Sequence, residues 1–390
     1  MKLLIQFSLI LSFYSCAVNA QVKRDINPKI WVREGYELTI IQADIQQPRF
    51  LQLDDKGTLF VSLPEKGTIK SCVDKDKDGY YETVADFVTG HPKVHAMQWH
   101  EGWLWFTESG AIFKARDTNG DGKADETITV LASGTLPKGG GHWWRSLLVH
   151  GGRIYTSIGC SGNIDDETAT ERLKIWSFKE DGTDKKLYCG GLRNTEKLVI
   201  RPETDEIWGM DHGSDNFGEF LERKSKTETR RPITDYNPPC EMNHYVQDGF
   251  YGHPYITGNK MPRPEYWDRK DIIDWAAKTT VPAWSGQAHN APNAMTFYTG
   301  NQFPQTMKGD AFVAYHGSWN RSEKGGYRVT HVLFEEGKPY GEHRMVDFLD
   351  KKNDDIFGRP VDVIVAQDGS LLITDDWDHK IYKLSYVGKK

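Results

Sequence analysis

Short runs of alternating apolar and polar residues, broken by Gly, Asp and Asn turns, extend along most of the chain, and amphipathic helical patterns are nearly absent. Such alternation is typical of half-buried β-strands. The runs form a repeated unit of a strand, a turn at Asp-Gly or Gly-Gly, and further strands. The units begin near Pro48, Val94, Arg145, Glu196, Asn293 and Pro360. Strand-built periods of about 40–50 residues are typical of propeller blades, so six units predict an all-β, six-bladed β-propeller.

One segment, from about 224 to 281, departs from this repeat. It is rich in Pro, Asp, Tyr and Trp and contains one helical pattern, "RKDIIDWAAK". We predict that residues 21–390 form a single propeller domain in which 224–281 is a long inter-blade insertion over one face. Long loops on a rigid scaffold often carry function.

The N-terminal residues 1–20 have a different pattern. Lys2 is followed by an apolar run to about Tyr14, and small residues stand at Val18 and Ala20. This is typical of a secretory signal peptide and predicts a secreted or periplasmic protein. Cys16 allows a second interpretation, a lipid anchor at the outer membrane. No later segment reaches the ~20 apolar residues of a membrane-spanning helix, so no transmembrane segment is predicted.

Composition narrows the class of protein. The chain has 390 residues, 38% of them hydrophobic, and a formal charge of −6, which is sufficient for a folded core and argues against disorder. Basic runs are absent, so no nucleic-acid partner is predicted. The spacing of the four later cysteines is too irregular for a zinc motif and leaves disulfides or free buried thiols open. These cysteines are Cys72, Cys160, Cys189 and Cys240.

Two acidic loops resemble calcium-binding loops. They are "DKDKDGYYE" and "DTNGDGKAD", with oxygen-bearing side chains at alternate positions and Gly at the turn. An EF-hand also needs Glu at position twelve, where these loops have Ala85 and Ile128, so EF-hands are excluded. The loops lie one blade period apart, which predicts equivalent turns in neighbouring blades. They are either simple turns or structural calcium sites. The candidate ligands are Asp74, Asp76, Asp78, Asp117, Asn119 and Asp121.

Polar and aromatic residues recur at the same place in the units, around the ends of the predicted inner strands. Equivalent positions of every blade converge on one end of the central channel, so these residues are predicted to form one site. They are His95, His142 to Arg145, Arg193, Asn194, His212 to Asp215, His289, His316 to Arg321 and Arg359. The glycines Gly139–Gly141 before His142 are interpreted as space for a flat cofactor. If 143 and 144 lie in a strand, only one of these tryptophans can face the channel.

Several long motifs closely resemble the glucose/sorbosone dehydrogenase family, and the sorbosone-type branch above all. They are "GGLRNTEKLVI", "DGFYGHPYI", "HNAPNAMTFYTGNQFP", "GDAFVAYHGSWNRS" and "GRPVDVIVAQDGSLLITDD". The similarity covers about 35–386. It implies a six-bladed propeller that oxidises sugars with pyrroloquinoline quinone (PQQ) and calcium.

The resemblance also implies roles for individual residues. His142 takes the place of the family's general base, and Arg193 would hydrogen-bond the quinone oxygen. Gly213 and Ser214 correspond to the pair whose carbonyls bind the cofactor's calcium, and Asp215 could add an oxygen. PQQ carries three carboxylates, so cationic and aromatic partners are expected. The candidate cofactor-binding residues are Arg145, Asn194, His289, His316, Trp319, Arg321 and Arg359.

The leading hypothesis is therefore a secreted, PQQ- and calcium-dependent sugar dehydrogenase. A C-x-x-C-H haem motif is absent, so a separate electron acceptor is expected. Two alternatives remain: a calcium-dependent lactone hydrolase, and a non-catalytic propeller that binds carbohydrate or protein. The first needs a cluster of acidic ligands in the channel, whereas the conspicuous residues here are His and Arg.

Overall fold

The computed structural model describes residues 26–218 and 232–388. The predicted signal peptide at 1–20, Cys16 and the part of the insertion from 224 to 231 lie outside the described residues. Within them, no helix is long and apolar enough to cross a membrane.

The six-bladed β-propeller is confirmed: six antiparallel sheets of four or five strands follow one another along the chain. Blades 1 to 3 each take four consecutive strands, given from the channel outwards. Blade 1 has Leu51–Leu53, Leu59–Leu63, Thr68–Val73 and Thr83–Val88. Blade 2 has Met97–His100, Trp103–Glu108, Ala111–Arg116 and Glu126–Leu131. Blade 3 has Leu148–His150, Arg153–Ile158, Lys174–Lys179 and Lys186–Gly190.

Blades 4 to 6 complete the ring. Blade 4 has Leu198–Ile200, Ile207–Asp211, Cys240–Tyr245 and Trp284–Gly286. Blade 5 has Pro292–Phe297, Ala311–Tyr315, Arg328–Glu335 and Lys338–Asp347, with Trp31–Val32 as a fifth strand at its edge. Blade 6 has Pro360–Val365, Leu371–Asp375, Lys380–Tyr386 and, from the N-terminal side of the chain, Tyr36–Gln42. This last pairing joins the two ends of the chain in one sheet.

The middle strands are buried on both faces because each blade packs between two others. Leu59–Leu63 and Ala311–Tyr315 are buried at every position, whereas the outermost strand of blade 2, Glu126–Leu131, is mostly exposed. The core is therefore a series of apolar layers between adjacent blades, such as the one that contains Phe60, Leu104 and Ile154. Continuous burial explains why the middle strands are more uniformly apolar than the alternating pattern requires.

Part of the predicted 224–281 insertion belongs to blade 4, because Cys240–Tyr245 is that blade's third strand. The chain leaves the blade before this strand and again after it. It forms the helix Pro232–Tyr236, the strand pair Ile256–Thr257 and Met261–Pro262, the 3-10 turn Pro264–Tyr266 and the helix Ile272–Lys278. The last helix agrees with the "RKDIIDWAAK" pattern. A second strand pair, Leu349–Asp350 with Asp355–Ile356, and the 3-10 turn Gln305–Met307 lie outside the blades.

The two acidic loops occupy equivalent turns, as expected. Each joins the third and fourth strands, in blade 1 and blade 2 respectively. Their side chains accept hydrogen bonds from their own backbone: Asp74 from the Gly79 N–H at 2.7 Å and Asp117 from the Gly122 N–H at 2.8 Å. Asp76, Asp78, Asn119 and Asp121 do the same within a few residues. The four cysteines after residue 26 are buried free thiols.

Candidate active site

Every blade delivers side chains to the same end of the channel because the chain reaches that end just before each inner strand begins. Inner strands begin at Leu51, Met97, Leu148, Leu198, Pro292 and Pro360. Predicted polar residues precede five of these points, and Arg49 precedes the sixth. The predicted groups His212 to Asp215 and His316 to Arg321 instead follow the second strands of blades 4 and 5, which end at the same end of the channel. We call the residues connected there the channel-end network. Its members are Arg49, His95, Asn194, Glu196, His212, His316, Arg359 and Asp376. Its contacts join side chains that are far apart in sequence.

Glu196 is the centre of the channel-end network. Its carboxylate lies 3.0 Å from Arg49 Nη2, 3.5 Å from His95 Nε2 and 4.0 Å from His212 Nε2. It also accepts a hydrogen bond of 3.1 Å from the Asn194 amide. Burial alone would raise the pKa of Glu196, but the His95 imidazole and the Arg49 guanidinium outweigh it and lower the pKa to about 2. A buried, ionised carboxylate therefore holds residues from blades 1, 2 and 4 together.

The network continues into blades 5 and 6. Arg49 donates to Asp376 at 2.9 Å, and Asp376 also receives the His316 Nε2–H at 2.9 Å. Both partners lower the pKa of Asp376 despite its burial. The His316 carbonyl accepts from Arg359 Nε at 3.2 Å. The structure thus brings the predicted residues Asn194, His316 and Arg359 into one connected set.

Among the residues that the structure describes, only one ring nitrogen of His142 makes a hydrogen bond. Its Nδ1 lies 2.9 Å from the Cys160 carbonyl, which can only accept, so Nδ1 carries the proton and Nε2 bears a lone pair. Burial, assisted by the charge of Arg193, lowers the pKa of His142 to about 3. The Cys160 N–H in turn donates to the Arg193 carbonyl at 2.9 Å. One residue therefore couples His142 to Arg193.

Gly159 allows this close approach of His142 and Arg193. A Cβ at Gly159 would lie 2.6 Å from the Arg193 carbonyl oxygen and 2.8 Å from the His142 Cβ. The glycines before His142 have a similar use, because a Cβ at Gly140 would lie 2.8 Å from the Ser161 Cα. Gly140 therefore allows one loop to pack against another, whereas a Cβ at Gly139 would meet nothing within 4 Å.

Arg193 occupies the predicted calcium site. Its guanidinium donates to the Gly213 carbonyl at 3.2 Å and to the Asp215 carboxylate at 3.0 Å. The Ser214 hydroxyl accepts from Arg263. His289 Nδ1 is 3.8 Å from the other Asp215 oxygen, and its Nε2–H is given to the carbonyls of residues 234 and 237. Two of the oxygens expected to bind calcium, the Gly213 carbonyl and one Asp215 oxygen, are thus held by Arg193, so this arrangement is not an open calcium cage.

Arg145 does not face the other predicted cofactor-binding groups. It is fully buried and donates to the carbonyls of Pro137, His142 and Trp144. Its guanidinium therefore binds carbonyl groups of its own loop. The prediction that it binds a cofactor carboxylate has no geometric support. Desolvation by burial lowers the pKa of Arg145 to about 9.

Trp143 and Trp144 precede the inner strand, which begins at Leu148, so strand alternation does not apply to them. Their ring centroids are 3.6 Å apart. Trp144 also covers the Arg49 guanidinium at 4.3 Å, and Trp143 covers Lys93 Nζ at 4.8 Å. The pair forms an aromatic wall beside the channel-end network.

Arg321 and Arg359 retain unused donors. Arg321 gives Nε to the Glu323 carbonyl and Nη1 to the carbonyls of Asp235 and Ala288. Within 26–218 and 232–388, no hydrogen bond is made by Nη2 of Arg321 or by either terminal nitrogen of Arg359. Trp319 is 73% exposed and makes no ring contact in the same residues.

Sequence reasoning missed Arg49, Glu196 and Asp376. Arg49 stands directly before an inner strand, in "PRFLQL", so its blade-equivalent place could have identified it. Glu196 lies two residues after Asn194 in a quoted motif and could have been included. Asp376 is the last residue of the quoted motif "GRPVDVIVAQDGSLLITDD", directly after the second strand of blade 6, and could have been included.

Comparisons with known proteins agree with this architecture. The chain is 26% identical to an uncharacterised protein from Borreliella burgdorferi, over 97% of each chain. It is 22% identical to a PQQ-dependent pyranose dehydrogenase from Coprinopsis cinerea, over 95% of this chain but only 56% of that protein.

Solved structures show the same fold. The calcium structure of a Trichoderma reesei carbohydrate-active enzyme of family AA12 has a TM-score of 0.77 at 19% identity, covering 92% of this chain and 97% of that one. The holo PQQ domain of the Coprinopsis cinerea pyranose dehydrogenase has a TM-score of 0.74 at 18% identity, covering 92% and 98%. The apo form of the Escherichia coli soluble aldose sugar dehydrogenase has a TM-score of 0.66 at 16% identity, covering 90% and 99%. The resemblance to soluble PQQ sugar dehydrogenases is thereby confirmed. Because the TrAA12-like family model matches residues 30–387, the chain belongs to the TrAA12-like family.

Proposed function

We propose that this protein is a secreted PQQ-dependent oxidoreductase that removes hydride from a CH–OH group of a sugar or related aldose, with His142 as general base. The observation that carries the proposal is the fixed tautomer of His142, whose ring is coupled through Cys160 to Arg193 and whose Nε2 makes no hydrogen bond within the described residues. The names of the relatives support the cofactor and the substrate class.

His142 is suited to accept a proton. The Cys160 carbonyl holds Nδ1–H, so only Nε2 is available to the substrate hydroxyl. Its low pKa keeps the imidazole neutral at ordinary pH, and when it accepts the hydroxyl proton the imidazolium forms beside the acidic groups of the network. Asp215 and Glu196 are the negative charges that offset it.

The residues present fit an anionic, planar cofactor. Arg321 and Arg359 have terminal N–H groups to offer to carboxylates, and both flank the blade 5 loop, Arg321 near Gly325 and Arg359 over the Tyr327 ring. Within the described residues, the buried His289 Nδ1 makes no hydrogen bond and has only an Asp215 oxygen at 3.8 Å, which leaves it available to a ligand. A bound quinone would supply the hydride acceptor. Arg193 provides a fixed positive charge next to His142, where an oxygen that becomes anionic would be stabilised.

In this proposal, the geometry supports the binding of calcium less well than the binding of PQQ. Arg193 and a calcium ion would compete for the oxygens of Gly213 and Asp215, so the ion can bind there only if the guanidinium moves. We therefore derive no step through calcium and test its requirement directly. The candidate ligands in the two acidic loops remain a separate proposal of structural calcium.

The alternatives have weaker support. A lactone hydrolase needs open acidic metal ligands, yet the channel-end acids described here are each bound by Arg or His: Glu196, Asp215 and Asp376. A non-catalytic binding propeller gives no role to an imidazole that is held in one tautomer beside Arg193. Electrons would leave to a separate acceptor, because the chain has no haem-attachment motif.

The test is reconstitution of the apoprotein with PQQ, in parallel with and without calcium, followed by dye-linked oxidation of a broad sugar panel. We expect sugar-dependent dye reduction only after PQQ is added. Sugar binding that is indifferent to PQQ, with no turnover, would favour the binding propeller. Hydrolysis of a lactone with calcium alone would favour the hydrolase.

A further inference from the structure

A second polar cluster lies where blade 2 meets blade 3, on the face opposite the channel-end network. His100 ends the inner strand of blade 2, Glu101 follows it in the turn, and Glu180 follows the third strand of blade 3. One ligand atom from each of the three lies within 4.8 Å of the others. His100 and Glu180 are half-buried and Glu101 is exposed, so the cluster is open to solvent on one side.

The spacing of the cluster suits a shared ion better than a hydrogen bond. His100 Nε2 and Glu180 Oε1 are 3.5 Å apart, which is beyond the usual length of a hydrogen bond between charged groups. Two ligands of a tetrahedral zinc ion with bonds of about 2.1 Å are roughly 3.4 Å apart. The two blades therefore already hold these atoms at a zinc-compatible separation.

Within the described residues, the carboxylate oxygens of this cluster accept no hydrogen bond, unlike those of the acidic loops. In the loops, carboxylates such as Asp74 and Asp117 accept their own backbone N–H groups. In the part of the chain that the structure describes, the side chains of Glu101 and Glu180 accept no hydrogen bond. Their lone pairs thus remain available to a ligand.

We propose that His100, Glu101 and Glu180 bind one divalent transition-metal ion of the zinc class and thereby join blade 2 to blade 3. One imidazole nitrogen and two carboxylate oxygens suit zinc, and water takes the fourth position. Calcium is disfavoured because it takes six to eight oxygen ligands. This site is independent of the proposed sugar oxidation.

The test is a calorimetric titration of the whole protein with zinc chloride in the presence of excess calcium. We expect one equivalent of zinc to bind to the wild type, and His100→Gln and Glu180→Gln each to weaken that binding by at least about tenfold. The matched control is His150→Gln. His150 ends the inner strand of blade 3 but meets a single carboxylate, Asp205, at 2.8 Å, so zinc binding should be unchanged.

A second readout distinguishes this site from the channel-end histidines. Zinc should raise the thermal unfolding midpoint of the wild type and of His150→Gln but not of His100→Gln. No stoichiometric zinc binding, or unchanged binding in both His100→Gln and Glu180→Gln, would overturn the proposal. Equal competition by calcium for the same equivalent would overturn the assignment to zinc.

Discussion

The channel-end network and the two acidic loops are both dense in charged residues, yet their side chains bind very different partners. Arg49 joins Glu196 and Asp376, which lie 147 and 327 residues away. Asp74 and Asp117 bind backbone groups five residues away. The side chains of the loops bind backbone groups of the same loop, whereas the network forms only when the propeller ring is closed. A site assembled by the fold is therefore distinguished from a simple turn by how far apart its bonded residues lie in the sequence. The density of charged residues distinguishes them less well.

The largest expected effect that tests this comparison is a decrease in the catalytic rate. If His142 is the base, His142→Ala should lower kcat of the reconstituted enzyme by about 10²–10⁴-fold, because the substrate proton loses its acceptor. His150→Ala, in the same blade at the other end of the inner strand, should retain near-normal turnover. Steady-state kinetics with a dye acceptor measures both, and full turnover by His142→Ala would remove the base assignment.

The next effect concerns stability. Glu196→Gln should reduce the free energy of unfolding by about 3 kcal/mol, because Arg49 keeps a buried charge with one carboxylate partner fewer. Asp117→Asn, in calcium-free buffer, should change it by at most about 0.5 kcal/mol, because the loop is exposed and locally bonded. Urea unfolding at pH 7 gives both values. Equal effects of the two substitutions would erase the contrast between the regions.

The stability changes caused by Glu196→Gln and Asp117→Asn should also depend differently on pH. The folded pKa of Glu196, about 2, lies below its ordinary 4.5, so its ionised form stabilises the fold. That contribution is complete above about pH 4.5 and is lost as the pH falls towards 2. The stability gap between wild type and Glu196→Gln should therefore narrow between pH 4.5 and 3. The Asp117→Asn difference should remain small throughout, and a constant gap for Glu196→Gln would contradict the ionised state.

A smaller effect is expected on cofactor affinity. Arg359→Ala and Arg321→Ala should each weaken PQQ binding by about 10-fold to 100-fold, through loss of a charge-assisted hydrogen bond. Lys123→Ala, in the acidic loop of blade 2, removes a positive charge away from the channel end and should not. Equilibrium titration followed by absorbance measures all three, and equal losses would mean that only net charge matters.

The smallest expected change is in the pH profile. Because the pKa of His142 is lowered to about 3, its Nε2 should stay unprotonated down to mildly acidic pH. We expect kcat/KM to show no protonation step near pH 6.5, the ordinary value for histidine. A step there that disappears in His142→Gln would show that the imidazole is far less desolvated than the structure indicates.

Much of the fold followed from the sequence because strand alternation and repeat period are local signals. Blade number, the equivalence of the acidic turns and the helix at 272–278 all depend on such signals. The use of each polar side chain was less predictable. Arg145 and Arg359 look alike beside an inner strand, but one is buried against its own loop and the other has free donors. Only the three-dimensional path of the loop decides between them. Asp376 ends a quoted motif, but the motif does not show its importance, which comes from Arg49 in another blade.

The most direct test of the central claim, that the polar residues of all six blades form one PQQ site, is absorbance titration of the apoprotein with PQQ. The account predicts saturation at one equivalent in wild type and in Asp117→Asn, and clear weakening in Arg359→Ala. Absence of saturable binding, or equal binding by wild type and Arg359→Ala, would contradict it.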